Sequence, residues 1–289
     1  MKEITILSGK GGTGKTSVTA AFGSLAKNAV FCDNDVDAAD LHLILQPEIK
    51  ENYVFSSGWS MGIDNEKCTS CGLCKEKCRF EAIHIDNFAY YINDFQCEGC
   101  RLCERICPVN AIKSEEKTNN AWYVSDTRMG KLVHAKMGPG EENSGRLVTE
   151  IRKKAKSIAK EENNEIIIND GPPGIGCAAI ASVSGTGKVV LVTEPSKSGM
   201  HDLKRLMKLV TSFNIPMMAI INKYNINAEI SDEISSFLKN LNIPLIAKIP
   251  YSEDFVSAMV AGKSIVEYKP DSEITAILSQ SFKRIVQID

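Results

Sequence analysis

Eight of the ten cysteines fall in two runs of identical spacing, Cys68-x2-Cys71-x2-Cys74-x3-Cys78 and Cys97-x2-Cys100-x2-Cys103-x3-Cys107, the second followed by Pro108. A tight loop with a thiol at every third position can turn three sulfurs towards one polynuclear centre and leaves the fourth to come from elsewhere in the chain. Zinc sites usually use paired C-x2-C units, which a third cysteine three residues further on fits poorly. Disulfides are disfavoured because Met1-Lys2-Glu3 leads at once into a strand and not into a secretory leader, and in an intracellular chain this pattern more often binds metal.

The stretch from 62 to 115 resembles a bacterial two-cluster ferredoxin, including the aliphatic pairs Ala82-Ile83 and Ala111-Ile112, which should start symmetry-related strands. In that pattern the fourth cysteine of each run serves the other cluster. The resemblance implies two 4Fe-4S clusters, one on Cys68, Cys71, Cys74 and Cys107, the other on Cys97, Cys100, Cys103 and Cys78. It also implies cubes close enough to exchange electrons. One departure is that Cys78 is followed by Arg79 where the family has proline. Proline shapes that turn without being a ligand, so altered packing or potential is expected with the cluster retained.

At the other end of the argument, the strand Ile4-Thr5-Ile6-Leu7 runs into Ser8-Gly9-Lys10-Gly11-Gly12-Thr13-Gly14-Lys15-Thr16, with a helix expected from near Ser17. This is G-x-x-x-x-G-K-[ST] in a strand-loop-helix setting. Its glycines let backbone N–H groups converge on phosphate oxygens, Lys15 reaches the β and γ phosphates of ATP, and the Thr16 hydroxyl can ligate Mg2+. The Lys10 cation is not needed by an ordinary phosphate cradle. With it, the loop resembles the deviant Walker A motif of the MinD/ParA/nitrogenase iron protein class, in which the extra lysine reaches the partner subunit's phosphates and can act as an arginine finger does. By that resemblance Lys10 implies a nucleotide-sandwich homodimer, with Lys10, Lys15 and Asp35 as the catalytic set.

Strand Ala29-Val30-Phe31-Cys32 ends in Asp33-Asn34-Asp35-Val36-Asp37. The resemblance assigns Asp35 to orienting water and Asp33 to the magnesium side, while Asp37 reads as a cap for a helix over 38–45. Strand Glu165 to Asn169 delivers Asp170 and then Gly171-Pro172-Pro173-Gly174, a Walker B acid for Mg2+ followed by a switch loop resembling the Mrp-like branch. Apolar runs at Val189–Val192, Met217–Ile221 and Leu245–Ile249 read as further buried parallel strands. By the family pattern Asn222 contacts adenine and Pro250, with Tyr251, flanks the base, although Pro-Tyr is also ordinary turn chemistry. Gly9, Gly11, Gly12, Thr13, Gly14, Thr16 and Ser17 complete the nucleotide-binding set.

Helices expected at 144–160, 199–213 and 232–241 alternate with these strands. The fold class is therefore α/β, a doubly wound, mostly parallel P-loop NTPase sheet formed by residues 1–60 and 117–289, interrupted at 61–116 by an α+β ferredoxin-like domain. The ATPase is expected to resume near Trp122, and 138–145 to lack regular structure. Ile274, Ile277, Leu278, Phe282 and Ile285 lie at helical spacing, with only Lys283 and Arg284 basic beside them. A core-packing helix is therefore expected there in preference to a lipid-binding one. Cys177 follows Asp170 by the interval of a bridging cluster ligand in the nitrogenase iron protein. With only Cys32 left as a second ligand, a packing or redox-active loop thiol is the expected role.

A net charge of -2 on 289 residues does not advertise nucleic-acid binding, and no apolar run approaches a membrane span. A cytoplasmic ATPase is expected, its nucleotide-dependent dimerisation coupled to electron transfer through two clusters towards an unidentified redox partner. The alternative is an assembly or carrier protein that delivers an iron-sulfur or metal cofactor to a recipient. Positioning by a ParA-like ATPase ranks third.

Overall fold

The computed structural model describes residues 1–138 and 144–287, so most of the expected irregular stretch at 138–145 lies outside the described residues. From the N terminus, β1 (Lys2–Ser8) leads through the glycine-rich loop into α1 (Lys15–Leu25), then β2 (Ala29–Asp33), α2 (Leu41–Leu45) and β3 (Glu48–Phe55). The cysteine region follows as β4 (Gly58–Ile63), α3 (Leu73–Lys77), β5 (Ile83–Asp86), β6 (Ala89–Ile92), α4 (Leu102–Ile106) and β7 (Ile112–Lys117). The chain continues with β8 (Asn120–Thr127), β9 (Gly130–Lys136), α5 (Ser144–Glu161), β10 (Ile166–Pro173), α6 (Cys177–Val183), β11 (Lys188–Thr193) and α7 (Lys197–Ser212). It ends with β12 (Met217–Asn222), α8 (Ala228–Asn240), β13 (Leu245–Ile249), α9 (Asp254–Val260), α10 (Ile265–Tyr268) and α11 (Glu273–Gln287).

Two compact units result, one of Met1–Tyr53, Trp122–Lys136 and the described residues from Ser144 onward, the other of Val54–Ala121 with Met137 and Gly138. In the first, a nine-stranded sheet has the order β13-β12-β11-β1-β10-β2-β9-β8-β3, with parallel pairing from β13 through β9. Alternate residues of its central strands enter two different cores. Ile4, Ile6, Val190, Val192, Met218 and Ile220 face α1 and α11, while Leu7, Val189, Leu191, Ala219 and Ile221 face α7 and α8. Burial on both faces is why these strands read as continuous apolar runs. Ile274, Leu278, Phe282 and Ile285 of α11 all lie in the first core, where Phe282 meets Phe22 at 5.6 Å between ring centroids. Among the described residues no helix is long and apolar enough to cross a membrane.

The segment 122–136 is two strands, β8 and β9, joined at Arg128-Met129. Two expectations are adjusted. Strand β10 runs on through Gly171 and Pro172 to Pro173, because a side chain at Gly171 would press on Leu7 and its absence lets β10 stay against β1. The helix expected over 38–45 begins only at Leu41, and the carboxylate that reaches its first turn is Asp33, which accepts from Leu41 N at 3.2 Å; Asp37 does not cap it.

The second unit is built twice over. β4 pairs antiparallel with β7 and β5 with β6, in registers that set Ile63 opposite Ile112 and Ile83 opposite Ile92. Helices α3 and α4 occupy the same place in the two cysteine runs. So do three pairs of residues in the left-handed region, Ser70 with Gly99 (φ 54 and 59), Gly72 with Arg101 (φ 77 and 62) and Glu81 with Asn110 (φ 52 and 51). Three of these six positions, Ser70, Glu81 and Arg101, carry a side chain that resists such backbone, at a cost on the order of 1 kcal/mol each, while Asn110 tolerates it. Ala82, Ile83, Ala111 and Ile112 are buried and begin the equivalent strands β5 and β7.

Candidate functional site

The phosphate loop leaves β1 at the centre of the sheet, where neighbouring strands β10 and β11 run out from it on either side. This is the crevice at the carboxyl ends of the strands in which open α/β sheets bind ligands. Gly14 sits at φ 87 immediately before α1, and a side chain on it would strike the Asn222 amide nitrogen at 2.3 Å. Only glycine turns the chain into the helix there. Lys15 therefore starts α1 and points into a buried acidic site.

Within that site the Lys15 ammonium lies 3.1 Å from Asp170 Oδ1 and 3.4 Å from Asp35 Oδ2. Thr16 Oγ1 donates to Asp170 Oδ2 and Thr19 Oγ1 to Asp170 Oδ1, each at 2.7 Å. Asp33, fully buried, accepts from Asp35 N and Leu41 N at 3.2 Å each. Three carboxylates thus face one ammonium, a surplus of negative charge suited to a divalent cation. Burial alone would lower the Lys15 pKa, yet Asp170, Asp35 and Asp33 hold it above its ordinary value. Burial and then the charge of Asp170 push Asp33 well up. Burial carries Asp35 up to about 6 in spite of Lys15.

Lys10 is not extended away from its own subunit. Its ammonium lies 2.6 Å from Glu194 Oε1 and donates to Ser198 Oγ at 3.2 Å. Lys223 occupies the other carboxylate oxygen of Glu194 at 3.3 Å and donates to the loop carbonyl of Gly12 at 2.8 Å. Burial works to raise the Glu194 pKa, but hydrogen bonds from Lys10 and Lys223 keep it below the usual range. Glu194 follows β11 as Asp170 ends the core of β10; an acid after an apolar run is a signal the sequence carries, but its place beside the phosphate loop comes from the strand order. Thr19, one turn along α1 from Lys15, carries no such signal.

Asn222 donates through Nδ2 to Thr13 O at 2.7 Å, which ties the end of β12 to the phosphate loop. A groove of about 200 Å³ runs past Gly12, Gly14 and Ser17 to Asn222, Pro250 and Tyr251, with Phe255 and Met259 along it. The loop and the two expected base-side residues therefore border one space.

In the second unit the cysteines gather as two quartets. Cys68, Cys71, Cys74 and Cys107 line one cavity beside Ile63 and Tyr90. Cys78, Cys97, Cys100 and Cys103 line another, which Cys74 also borders, beside Met61 and Ile92. The cavities are walled by the apolar residues that the duplicated strands bury. Burial raises the thiols of Cys74 and Cys97, and carries Cys103 up to about 11, while N–H groups of the loops pull the other way. Ala111 N donates to Cys107 Sγ at 3.3 Å. Among the described residues no group of three or more His, Cys, Asp or Glu side chains is set to hold a single metal ion. Cys32 is fully buried, burial raises its pKa strongly, and its thiol meets Asn34 Oδ1 at 3.1 Å; Cys177 is exposed at the start of α6.

A model of the CobQ/CobB/MinD/ParA nucleotide binding domain matches residues 4–265. The uncharacterized protein MJ0578 of Methanocaldococcus jannaschii is 30% identical over 291 residues, spanning 98% of this chain and 96% of that protein. The iron-sulfur cluster carrier protein of Rickettsia felis is 31% identical over 104 residues, 35% of this chain and 32% of its own length. Among solved structures, the septum site-determining protein MinD complexed with Mg-ADP from Pyrococcus horikoshii superposes with a TM-score of 0.61 at 19% identity, covering 99% of this chain and 96% of that one. The structural likeness extends along 99% of this chain, whereas the likeness to the Rickettsia felis carrier covers 35% of it.

Proposed function

The chain belongs to the CobQ/CobB/MinD/ParA nucleotide binding domain family, and from that premise we propose that it is an ATPase whose nucleotide-dependent dimerisation is coupled to electron transfer through two 4Fe-4S clusters. The observation that carries the redox half is the gathering of eight cysteines at two apolar cavities, each lined by three thiols of one run and the last thiol of the other, with Cys74 bordering both. Four thiols per cavity are the donor set such a cluster takes, and the Ala111 N–H on Cys107 Sγ is the kind of contact that stabilises a ligating thiolate. Bound there, the clusters would supply one-electron storage, and the second unit is read as a ferredoxin-like domain.

In the ATPase half, this chain's residues bind and orient. Loop N–H groups from Gly9 to Thr16 and the start of α1 would receive the phosphates of ATP, with Lys15 against the β and γ oxygens. Thr16 and Asp170, already hydrogen bonded, would hold Mg2+, with Asp33 behind them. Asp35 would orient water, Lys10 would serve as the cation for the nucleotide of a second copy, and Asn222 and Pro250 would be the base-side contacts.

Cofactor delivery is the second reading, favoured by the likeness to iron-sulfur cluster carriers over a third of the chain. The test is anaerobic purification followed by EPR during dithionite reduction with ATP and Mg2+, with ADP, and in a Lys10→Ala variant. About eight irons per chain are expected, in two reducible centres whose spectra or potentials respond to ATP in the wild type alone. Clusters that ignore nucleotide and pass instead to an apo-protein would sink electron transfer and favour delivery.

A further inference from the structure

We propose that Glu194 is a positioning residue that holds the Lys10 ammonium withdrawn in its own subunit and thereby sets the ATP concentration at which two copies join. The inference rests on the reading of Lys10 as a cation for the nucleotide of a second copy, and it adds what must happen before that cation can be used.

The sheet order places β1 between β10 and β11, so the phosphate loop emerges between two acids, Asp170 on one side and Glu194 on the other. Each takes one lysine of the loop: Asp170 pairs with Lys15 and Glu194 with Lys10. The two pairs differ in setting. Asp170 and Lys15 are buried, whereas the Lys10 and Glu194 side chains retain 35% and 19% of their exposure. A partly solvated pair exchanges its contacts for water far more readily than a buried one. Lys10 is therefore the loop cation that can leave.

What it leaves behind is also provided for. Glu194 binds its two lysines through separate oxygens, Oε1 to Lys10 and Oε2 to Lys223, and Lys223 is anchored independently by Gly12 O. When Lys10 departs, Lys223 stays on the carboxylate, so no uncompensated charge remains. Ser198, in the first turn of α7, supplies the second hold on Lys10. The contact therefore opposes association by an amount small enough for γ-phosphate binding to overcome.

The test follows self-association of the full chain, purified anaerobically, by light scattering against increasing Mg-ATP. Glu194→Gln keeps the shape and removes the charge; it should dimerise at an ATP concentration lower than wild type by about fivefold, the size of a partly exposed ion pair. Glu194→Asp, which keeps the charge, should stay nearer to wild type, and Ser198→Ala should shift the threshold the same way by less, which keeps the test open should Glu194→Gln not fold. The Glu194→Gln shift should persist in a Lys223→Ala background. An unchanged threshold in a wild type that does dimerise overturns the proposal, as does a shift that vanishes with Lys223→Ala, since Glu194 would then act through Lys223. A wild type that never dimerises on ATP overturns the dimer reading itself, a result distinct from either.

Discussion

The phosphate-loop site and the cysteine unit are organised by opposite means. Around the loop, charged side chains from α1, from β10 and from the segment after β2 are set against one another within 3.4 Å, and the backbone departs from ordinary conformations chiefly at glycines. In the cysteine unit no charged residue lines the cavity of Cys68, Cys71, Cys74 and Cys107, while Lys77, Arg79, Glu98 and Arg101 border the other, and the shared geometry lies in the main chain, with left-handed residues repeated at matching positions of the two runs. The first site is an electrostatic construction that needs contributions from distant parts of the sequence. The second is a conformational one written within each run. Substitutions should therefore act on charge balance in one and on backbone shape and thiol count in the other.

The harshest break is Lys15→Ala. It strips the Lys15 ammonium from the three buried carboxylates around it and should abolish ATP hydrolysis, lowering stability by about 3 kcal/mol as an uncompensated buried charge does; a denaturant melt and a phosphate-release assay check both. On the other side of the comparison, Cys68→Ala removes one ligand of a single quartet and should remove about half the iron, read by colorimetric iron analysis; full iron content would dissociate Cys68 from the cavity it lines.

A subtler probe is pH. The Asp35 carboxyl lies up at about 6 in the folded chain against 3.8 ordinarily. Between those values the native state holds a proton that the unfolded state lacks, so this group makes stability decline as pH rises through that window. Hydrolysis should move the opposite way, with kcat/KM rising as pH climbs through about 6 and Asp35 becomes the carboxylate that orients water. Asp35→Asn should flatten both responses. The mildest change is Glu81→Gly at φ 52, which should raise stability by up to about 1 kcal/mol in a thermal melt by relieving left-handed strain; a loss would show that the Glu81 side chain matters more than its backbone.

The sequence made the parallel core legible because its strands are buried on both faces and stand out as unbroken apolar runs. It left β3 and β8 unseen. β3, Glu-Ile-Lys-Glu-Asn-Tyr-Val-Phe, is exposed along most of its length at the end of the sheet, so nothing in its hydrophobic pattern distinguishes it from a loop. At the site, Lys15, Asp35 and Asp170 followed from motif and strand ends, and the structure brings them together. Glu194 was missed because its importance lies in which strand neighbours β1. Strand order is a long-range property, and Val189 to Glu194 reads alike wherever β11 is inserted.

That strand order also bears on how the chain is made. β1 has no neighbour from the first half of the sequence, since its partners are β10 and β11, whereas β2 has one partner from that half, β9, and one from the second, β10. The cysteine unit, in contrast, finds its strand partners, β4 with β7 and β5 with β6, inside one short stretch. During synthesis β1, which leads into the phosphate loop, must therefore remain unpaired until β10 leaves the ribosome, well after the thiol cavities have all their parts. Completion of the parallel sheet therefore comes later in synthesis than completion of the cysteine unit that interrupts it.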